Sequence, residues 1–321
     1  MVDSLPLKER ALQLGFSGVG VCHVDQPLHL SAYESWLEKG FHGTMSYMVQ
    51  SRELRSSART ILPDAQRVIA VRLNYRTEID NQPGQPKIAR YARGRDYHRV
   101  LRGKLAKLAK QMAVIYPESK WRACVDSAPI LEREYSHYAG LGWFGKNTML
   151  IDSRVGSWFF LGLLLTDVPF LLDEPSEGGC GSCQACISAC PTGAIVFDDG
   201  RWQINSNLCI SYLTIEHRGL IDPALTAKMG DWTFGCDICQ EVCPFNQPRD
   251  SQPLRAPITQ EPDFLGVRSW PSLKELASVS EEEWDSMSKG SAVRRATRSG
   301  IQRNASINFL NAENSMGVKA T

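Results

Sequence analysis

Apolar residues in the first half of the chain alternate between two periods. Leu30, Tyr33, Trp36 and Leu37 fall at helical spacing, and Gly40 follows as a stop. Residues 67–75 (RVIAVRLNY) are rich in β-branched types and partly alternating, which predicts a strand. Leu101, Leu105, Leu108, Met112 and Ile115 advance by fours and threes, forming one face of an amphipathic helix that Pro117 closes. A strand is predicted at 122–125, then a helix opened by Pro129, then strands at 148–152 and 158–165.

The pattern changes at residues 173–179 (DEPSEGG), a polar stretch with Pro and two Gly that reads as a domain boundary. Beyond it, Asp199-Gly200 between apolar runs at 196–204 predicts a hairpin. After Pro253 a polar loop leads into a helical tail from about Ser272 to Leu310. The layout is therefore an α+β domain over 1–172, a second domain over 173–253 and a helical tail over 254–321.

Composition narrows the class. A chain of 321 residues holds about two domains, and 43% apolar residues supply an ordinary buried core. The net charge of +1 neither demands nor excludes nucleic acid. The most apolar run, 158–165, is too short to span a bilayer, and MVDSLPLKER has no basic stretch leading into an apolar one. The expected address is the cytoplasm, without a membrane partner and as a monomer.

Eight of the ten cysteines lie between Cys180 and Cys243. Clustering of that kind, without a secretory signal, favours metal ligation over disulfides. Cys180, Cys183, Cys186 and Cys190 followed by Pro191 spell C-x2-C-x2-C-x3-C-P, the run of bacterial ferredoxins in which the fourth cysteine ligates the other cluster. Cys236, Cys239 and Cys243 before Pro244 make a second copy lacking its first cysteine, and Cys209 is the nearby spare. The exchange rule assigns Cys180, Cys183, Cys186 and Cys243 to one [4Fe–4S] cluster and Cys190, Cys209, Cys236 and Cys239 to the other. Structural zinc is the alternative, but zinc ribbons use separated C-x2-C knuckles rather than this run. Cys22 and Cys124, on predicted strands, read as buried structural thiols.

Clusters only move electrons, so the chemistry needs an acceptor in residues 1–172. Gly140, Gly145 and Lys146 fit part of a phosphate loop, but Asn147 stands where Ser or Thr should hold magnesium, and a helix precedes where a strand should. Two readings of that turn remain: it presents Lys146 and Asn147 to an anionic or amide-rich ligand, or it is purely structural. Asp96-x-His98 resembles the start of a cobalt-ligating signature, but Leu101 replaces its glycine. Asp96 then reads as an N-cap with His98 exposed in the first turn. Asp126 ends a predicted strand and by itself reads as the N-cap of the next helix. Basic residues crowd 90–110, where Tyr91, Tyr97 and His98 are interleaved, and again at Arg294, Arg295, Arg298 and Arg303. Two such patches in a near-neutral chain suggest a phosphate-backbone footprint.

Taken together, Arg90-Tyr91-Ala92-Arg93-Gly94-Arg95-Asp96-Tyr97-His98, Val125-Asp126-Ser127 with Glu132-Arg133, Gly142-x-x-Gly145-Lys146-Asn147-Thr148, the eight cysteines and Arg294-Arg295 with Arg303-Asn304 resemble the epoxyqueuosine reductases of tRNA modification. The resemblance runs from the N-terminus to about Leu310. It implies a nitroreductase-like core that binds cobalamin, a two-cluster ferredoxin-like domain, and reduction of epoxyqueuosine to queuosine at the wobble position of tRNA. It also implies an external low-potential electron donor. Tyr97, Lys146, Asn147 and Thr148 would lie beside the corrin, without a protein axial ligand, and Asp126 would donate the proton. That role needs the Asp126 pKa to rise above its reference of about 3.9 through burial. Some relatives carry further C-terminal helical repeats; without them the tRNA grip would rest more on the basic tail. The rivals are a cobalamin-dependent reductive dehalogenase, which needs no tRNA patch, and a non-enzymatic iron–sulfur electron carrier.

Overall fold

Three helices, α1 (Leu5–Gln13), α2 (Leu30–Glu38) and α3 (Ser46–Gln50), and two strands, β1 (Gly18–Cys22) and β2 (Arg67–Asn74), begin the chain in the computed structural model. The structure describes residues 1–25, 27–78, 84–249 and 255–317. Next come β3 (Lys87–Ile88), α4 (Tyr97–Ile115), β4 (Trp121–Cys124), α5 (Glu132–Tyr138), β5 (Trp143–Phe144), β6 (Leu150–Ile151) and β7 (Phe159–Thr166). A four-stranded sheet runs in the order β1-β2-β7-β4, and every neighbouring pair is antiparallel.

Both faces of this sheet are covered, which is why β2 and β7 read as nearly continuous apolar runs. On one face the stripe Leu101, Leu105, Leu108 and Met112 of α4 packs with Leu7 and Ala11 of α1 against Ile69, Val71 and Leu164. On the other, Tyr135 and Tyr138 of α5 pack on Val68, Ala70, Leu163 and Leu165. Each large aliphatic side chain so buried contributes about 1.5–3 kcal/mol. Gly20 permits the second contact: a Cβ there would sit 1.8 Å from the Ala139 carbonyl oxygen.

The second half holds α6 (Ala185–Ala189), the hairpin β8 (Ile195–Asp198) and β9 (Arg201–Ile204), α7 (Ile210–Ile215), α8 (Pro223–Thr226), β10 (Trp232–Phe234) and α9 (Ile238–Glu241). At the hairpin tip Asp199 and Gly200 adopt φ of 47° and 72°, the doubly positive turn that the Asp-Gly pair predicts. Strand β10 pairs in parallel with β3, so residues of the first half are built into the second. The tail forms α10 (Pro262–Leu265), α11 (Leu273–Ala277), α12 (Glu281–Ser288) and α13 (Thr297–Gly317). Helices α11 and α12 open with capping boxes, Ser272 with Glu275 and Ser280 with Glu283. Val279, Trp284, Val293 and Ile301 of the tail bury against Ile88, Ile215 and Phe234.

Three expectations change. The helix after residue 125 starts at Glu132 rather than at Pro129, because residues 126–130 are taken up by a loop. The strand expected at 148–152 shortens to Leu150–Ile151, paired only with β5. The tail expected to be helical from 272 to 310 is divided among α11, α12 and α13, the first two opening at capping serines. The boundary expected at 253–254 lies outside the described residues.

Candidate active site and thiol clusters

Helix α4 and strand β4 are joined by a short turn and lie side by side, so the start of the helix returns to the end of the strand. Asp96 caps α4, its Oδ1 accepting the His98 backbone N–H at 3.0 Å. The same oxygen meets His98 Nδ1 at 2.8 Å, and His98 Nε2 reaches Asp126 Oδ2 at 2.7 Å. His98 is thus a half-buried bridge between two carboxylates, where the sequence suggests an exposed first-turn residue. Asp126 does not cap α5. Its backbone sits at φ +50°, in the left-handed region, and its N–H donates to Glu132 Oε1.

Electrostatics follow from that geometry. Burial opposes charge on His98, but its bonds to Asp126 and Asp96 outweigh it and push the ring up to about 9. Burial works to raise Asp126, yet the adjacent His98 holds its carboxyl below the ordinary value. This reverses the expected direction: at neutral pH the proton sits on His98 and Asp126 is ionised. Burial, then the negative charge of Asp126, pushes Glu132 up to about 8, so this carboxyl carries a second proton.

These groups line a recess. The Asp126 side chain keeps 57% of its accessible surface, and Arg133 is exposed, yet surrounding protein penalises charge on both. Accessible groups with a burial penalty face a cleft rather than the outer surface. Tyr97 stacks on Phe160 at 4.2 Å and on His98 at 4.1 Å, and its hydroxyl interacts with Asp126. Arg133 donates to the backbone oxygen of Thr148, whose φ of +62° is a true outlier for a β-branched residue. Asp126 and Thr148 thus both hold left-handed backbone. Arg102 donates to Ser127 Oγ at its edge.

Lys146 and Asn147 turn away from the recess. The Lys146 N–H meets Cys180 Sγ at 3.5 Å, and its ammonium donates to the Gly181 and Cys183 carbonyls at 2.8 and 2.9 Å. Buried Asn147 donates from Nδ2 to the Cys239 carbonyl at 3.3 Å. Of the residues expected beside a corrin, the structure brings Tyr97 and Asp126 together, links Thr148 to their neighbour Glu132 only through Arg133, and gives the side chains of Lys146 and Asn147 to the thiol loops.

All ten cysteines are free. The charges bearing on Cys186 are those of Cys180, Cys243 and Cys183, and these four thiols line one small void with Lys146, Ile151 and Phe245. Cys236 and Cys239 both feel Cys209, and Cys236 also feels Cys190. Cys239 also feels Cys186 of the first group, so the two groups of thiols adjoin. Cys22 and Cys124 lie buried on the sheet, away from both. Thiols set around a cubane are spread too widely to grip one ion. Among the described residues, no group of three or more His, Cys, Asp or Glu is placed to hold a single metal ion. Four thiols around a void suit an iron–sulfur core.

The tail arginines are bound within the molecule. Arg303 donates to the carbonyls of Leu213, His217 and Gly219. Arg295 grips Glu216 with two bonds of 2.8 and 2.9 Å and lies over Tyr47, close enough for its charge to act on Asp126. Arg294 pairs with Asp285, and Arg298 makes one 3.5 Å bond to the Val279 carbonyl. Sequence reasoning missed the contacts of Arg295 with Tyr47 and Glu216, for which no motif gives a signal, and the raised pKa of Glu132.

A model of the family "Epoxyqueuosine reductase QueG, DUF1730" matches residues 55–127, and one described as a 4Fe-4S double cluster binding domain matches 179–246. An epoxyqueuosine reductase of Vibrio cholerae is 41% identical over 317 residues, covering 95% of this chain and 82% of that protein. A crystal structure of an epoxyqueuosine reductase with an epoxyqueuosine-modified tRNA-Tyr stem loop superposes with a TM-score of 0.83 and 27% identity, over 97% of this chain and 82% of the other. The Bacillus subtilis enzyme, solved with its catalytic aspartate loop swung out of the active site, superposes at 0.82 with 26% identity, over 98% and 83%.

Proposed function

The chain belongs to the epoxyqueuosine reductase family, and from that membership we propose that it converts epoxyqueuosine to queuosine at the wobble position of a tRNA. The change adds two electrons and two protons to an epoxide and releases water, leaving an alkene. The site must therefore deliver both. The observation that carries the reading is the chain Asp96–His98–Asp126, which opens into a recess beside a module of eight thiols.

A bound cobalamin, fed by two [4Fe–4S] clusters from an external low-potential donor, supplies the electrons. Cys180, Cys183, Cys186 and Cys243 hold one cluster, and Cys190, Cys209, Cys236 and Cys239 the other. Residues 1–172 then form a nitroreductase-like cobalamin domain, the segment up to 253 a ferredoxin-like module and the remainder a helical tail. Tyr97, Asp126 and Thr148 would contact the cobalamin.

The chain's own residues manage the protons. His98 holds one between Asp96 and Asp126, and Asp126 conveys it to the epoxide oxygen as negative charge develops there. Glu132, bonded to the Asp126 N–H, keeps the loop in place and holds the second proton. On this reading the loop carrying Asp126 would take the part of the catalytic aspartate loop that is swung out of the active site in the B. subtilis structure. The modified base enters the recess while exposed Arg99, Arg102, Lys107 and Lys110 on α4, with Arg294 and Arg298 of the tail, meet backbone phosphates.

The test is turnover. Protein with clusters reconstituted without oxygen, supplied with cobalamin and a chemical reductant, is incubated with a tRNA stem loop bearing epoxyqueuosine, and its nucleosides are weighed. Queuosine should replace epoxyqueuosine. Loaded protein that leaves the epoxide intact would remove the proposal.

A further inference from the structure

The Gly145–Thr148 turn touches three places at once: the first thiol set through Lys146, the second through Asn147, and Arg133 through Thr148. Gly142 shapes its entry, at φ +154° and with the position of a Cβ only 2.6 Å from the Ile151 carbonyl. The turn is more than a structural link, because charge is distributed unequally on its two sides.

Beside Cys180, Cys183, Cys186 and Cys243 stands a cation. The Lys146 ammonium is fixed by two carbonyls of the loop that carries Cys180 and Cys183, and its backbone N–H points at Cys180 Sγ. The ammonium also lies 5.8 Å from the Trp202 ring centroid, which helps keep it there. Beside Cys236 and Cys239 stands a carboxylate instead. Asp237 is 1% exposed and accepts from the Arg90 N–H at 2.8 Å. Arg90 is shared with Glu241 at 2.8 Å and Arg93 also bears on Asp237, but within this group of two acids and two arginines it is the Asp237 charge that acts on Cys236 and Cys239.

A cluster gains negative charge when it accepts an electron. A nearby cation and N–H donors stabilise that reduced form, whereas a buried carboxylate opposes it. We infer that Lys146 is a redox-positioning residue: it raises the reduction potential of the cluster held by Cys180, Cys183, Cys186 and Cys243, while Asp237 lowers that of the other. An electron from a low-potential one-electron donor therefore fills the Lys146-side cluster first. This rests on the cluster assignment proposed above but not on the identity of the substrate.

The experiment is a mediated redox titration of the reconstituted protein, followed by electron paramagnetic resonance, with iron and sulfide measured on every sample. Wild type should show two distinct midpoints. Lys146→Gln should move the higher one to more negative potential and bring the two together, and Lys146→Arg should restore it. Asp237→Asn should move the lower midpoint upward, and it tests the same asymmetry should the Lys146 variant lose iron. Midpoints unchanged in both variants at full iron content would overturn the inference, as would a Lys146→Gln shift confined to the lower-potential cluster. Neither readout uses tRNA, so a failure here is separable from a failure to reduce epoxyqueuosine.

Discussion

At the scale of single residues, the site is a question of where one proton rests. Burial alone would protonate Asp126; a histidine pinned between two carboxylates reverses that. Replacing Asp126 with Asn removes one of the two anions that hold the imidazolium. The His98 pKa should then fall from about 9 toward its ordinary value, as read by ring-proton NMR. A His98 that still titrates near 9 in the variant would show that Asp126 is not its partner. Replacing His98 with Gln keeps a polar side chain but no transferable proton. Turnover should fall by about 10²-fold or more, the usual weight of a general acid, with clusters still loaded.

At the scale of elements, the tail reads as a clamp as much as a tRNA arm. The Arg303 guanidinium satisfies three carbonyls at the end of α7 and the loop after it. Arg303→Ala should cost about 2–4 kcal/mol, visible as a melting temperature lower by several degrees, while Arg298→Ala should be nearly neutral. Equal effects would mean that the carbonyl network carries no weight. Much of this level was legible in the sequence. The stripe of α4, the run of β2 and the Asp-Gly hairpin emerged where period and turn chemistry point the same way. The residue 126–130 loop did not, because Pro129 is a fair helix opener and nothing local shows that His98, far away in sequence, claims the Asp126 carboxyl. The inward turn of Lys146 and Asn147 was hidden for the same reason: their partners are backbone carbonyls of the cysteine loops, and backbone leaves no trace in a residue pattern.

At the scale of the whole molecule, β3 pairing with β10 and the tail packing over Ile88 join the first half of the chain to the thiol module. The basic face of α4 should carry part of the tRNA affinity. Changing Arg99, Arg102, Lys107 and Lys110 to Gln should weaken binding of any tRNA and flatten its salt dependence, by roughly 1 in log–log slope for each phosphate that is no longer neutralised. An unchanged slope would place the anticodon stem elsewhere. The central claim, that the deoxygenation draws its protons from His98 and Glu132 at the recess, is tested most directly by the pH dependence of single-turnover epoxyqueuosine reduction in cluster- and cobalamin-loaded protein. Both groups hold their protons below their raised pKa values and lose them above. The rate should therefore stay level to about pH 7 and decline through about 8 and about 9. A rate that is level or rising across that alkaline range, with both cofactors retained, would contradict it.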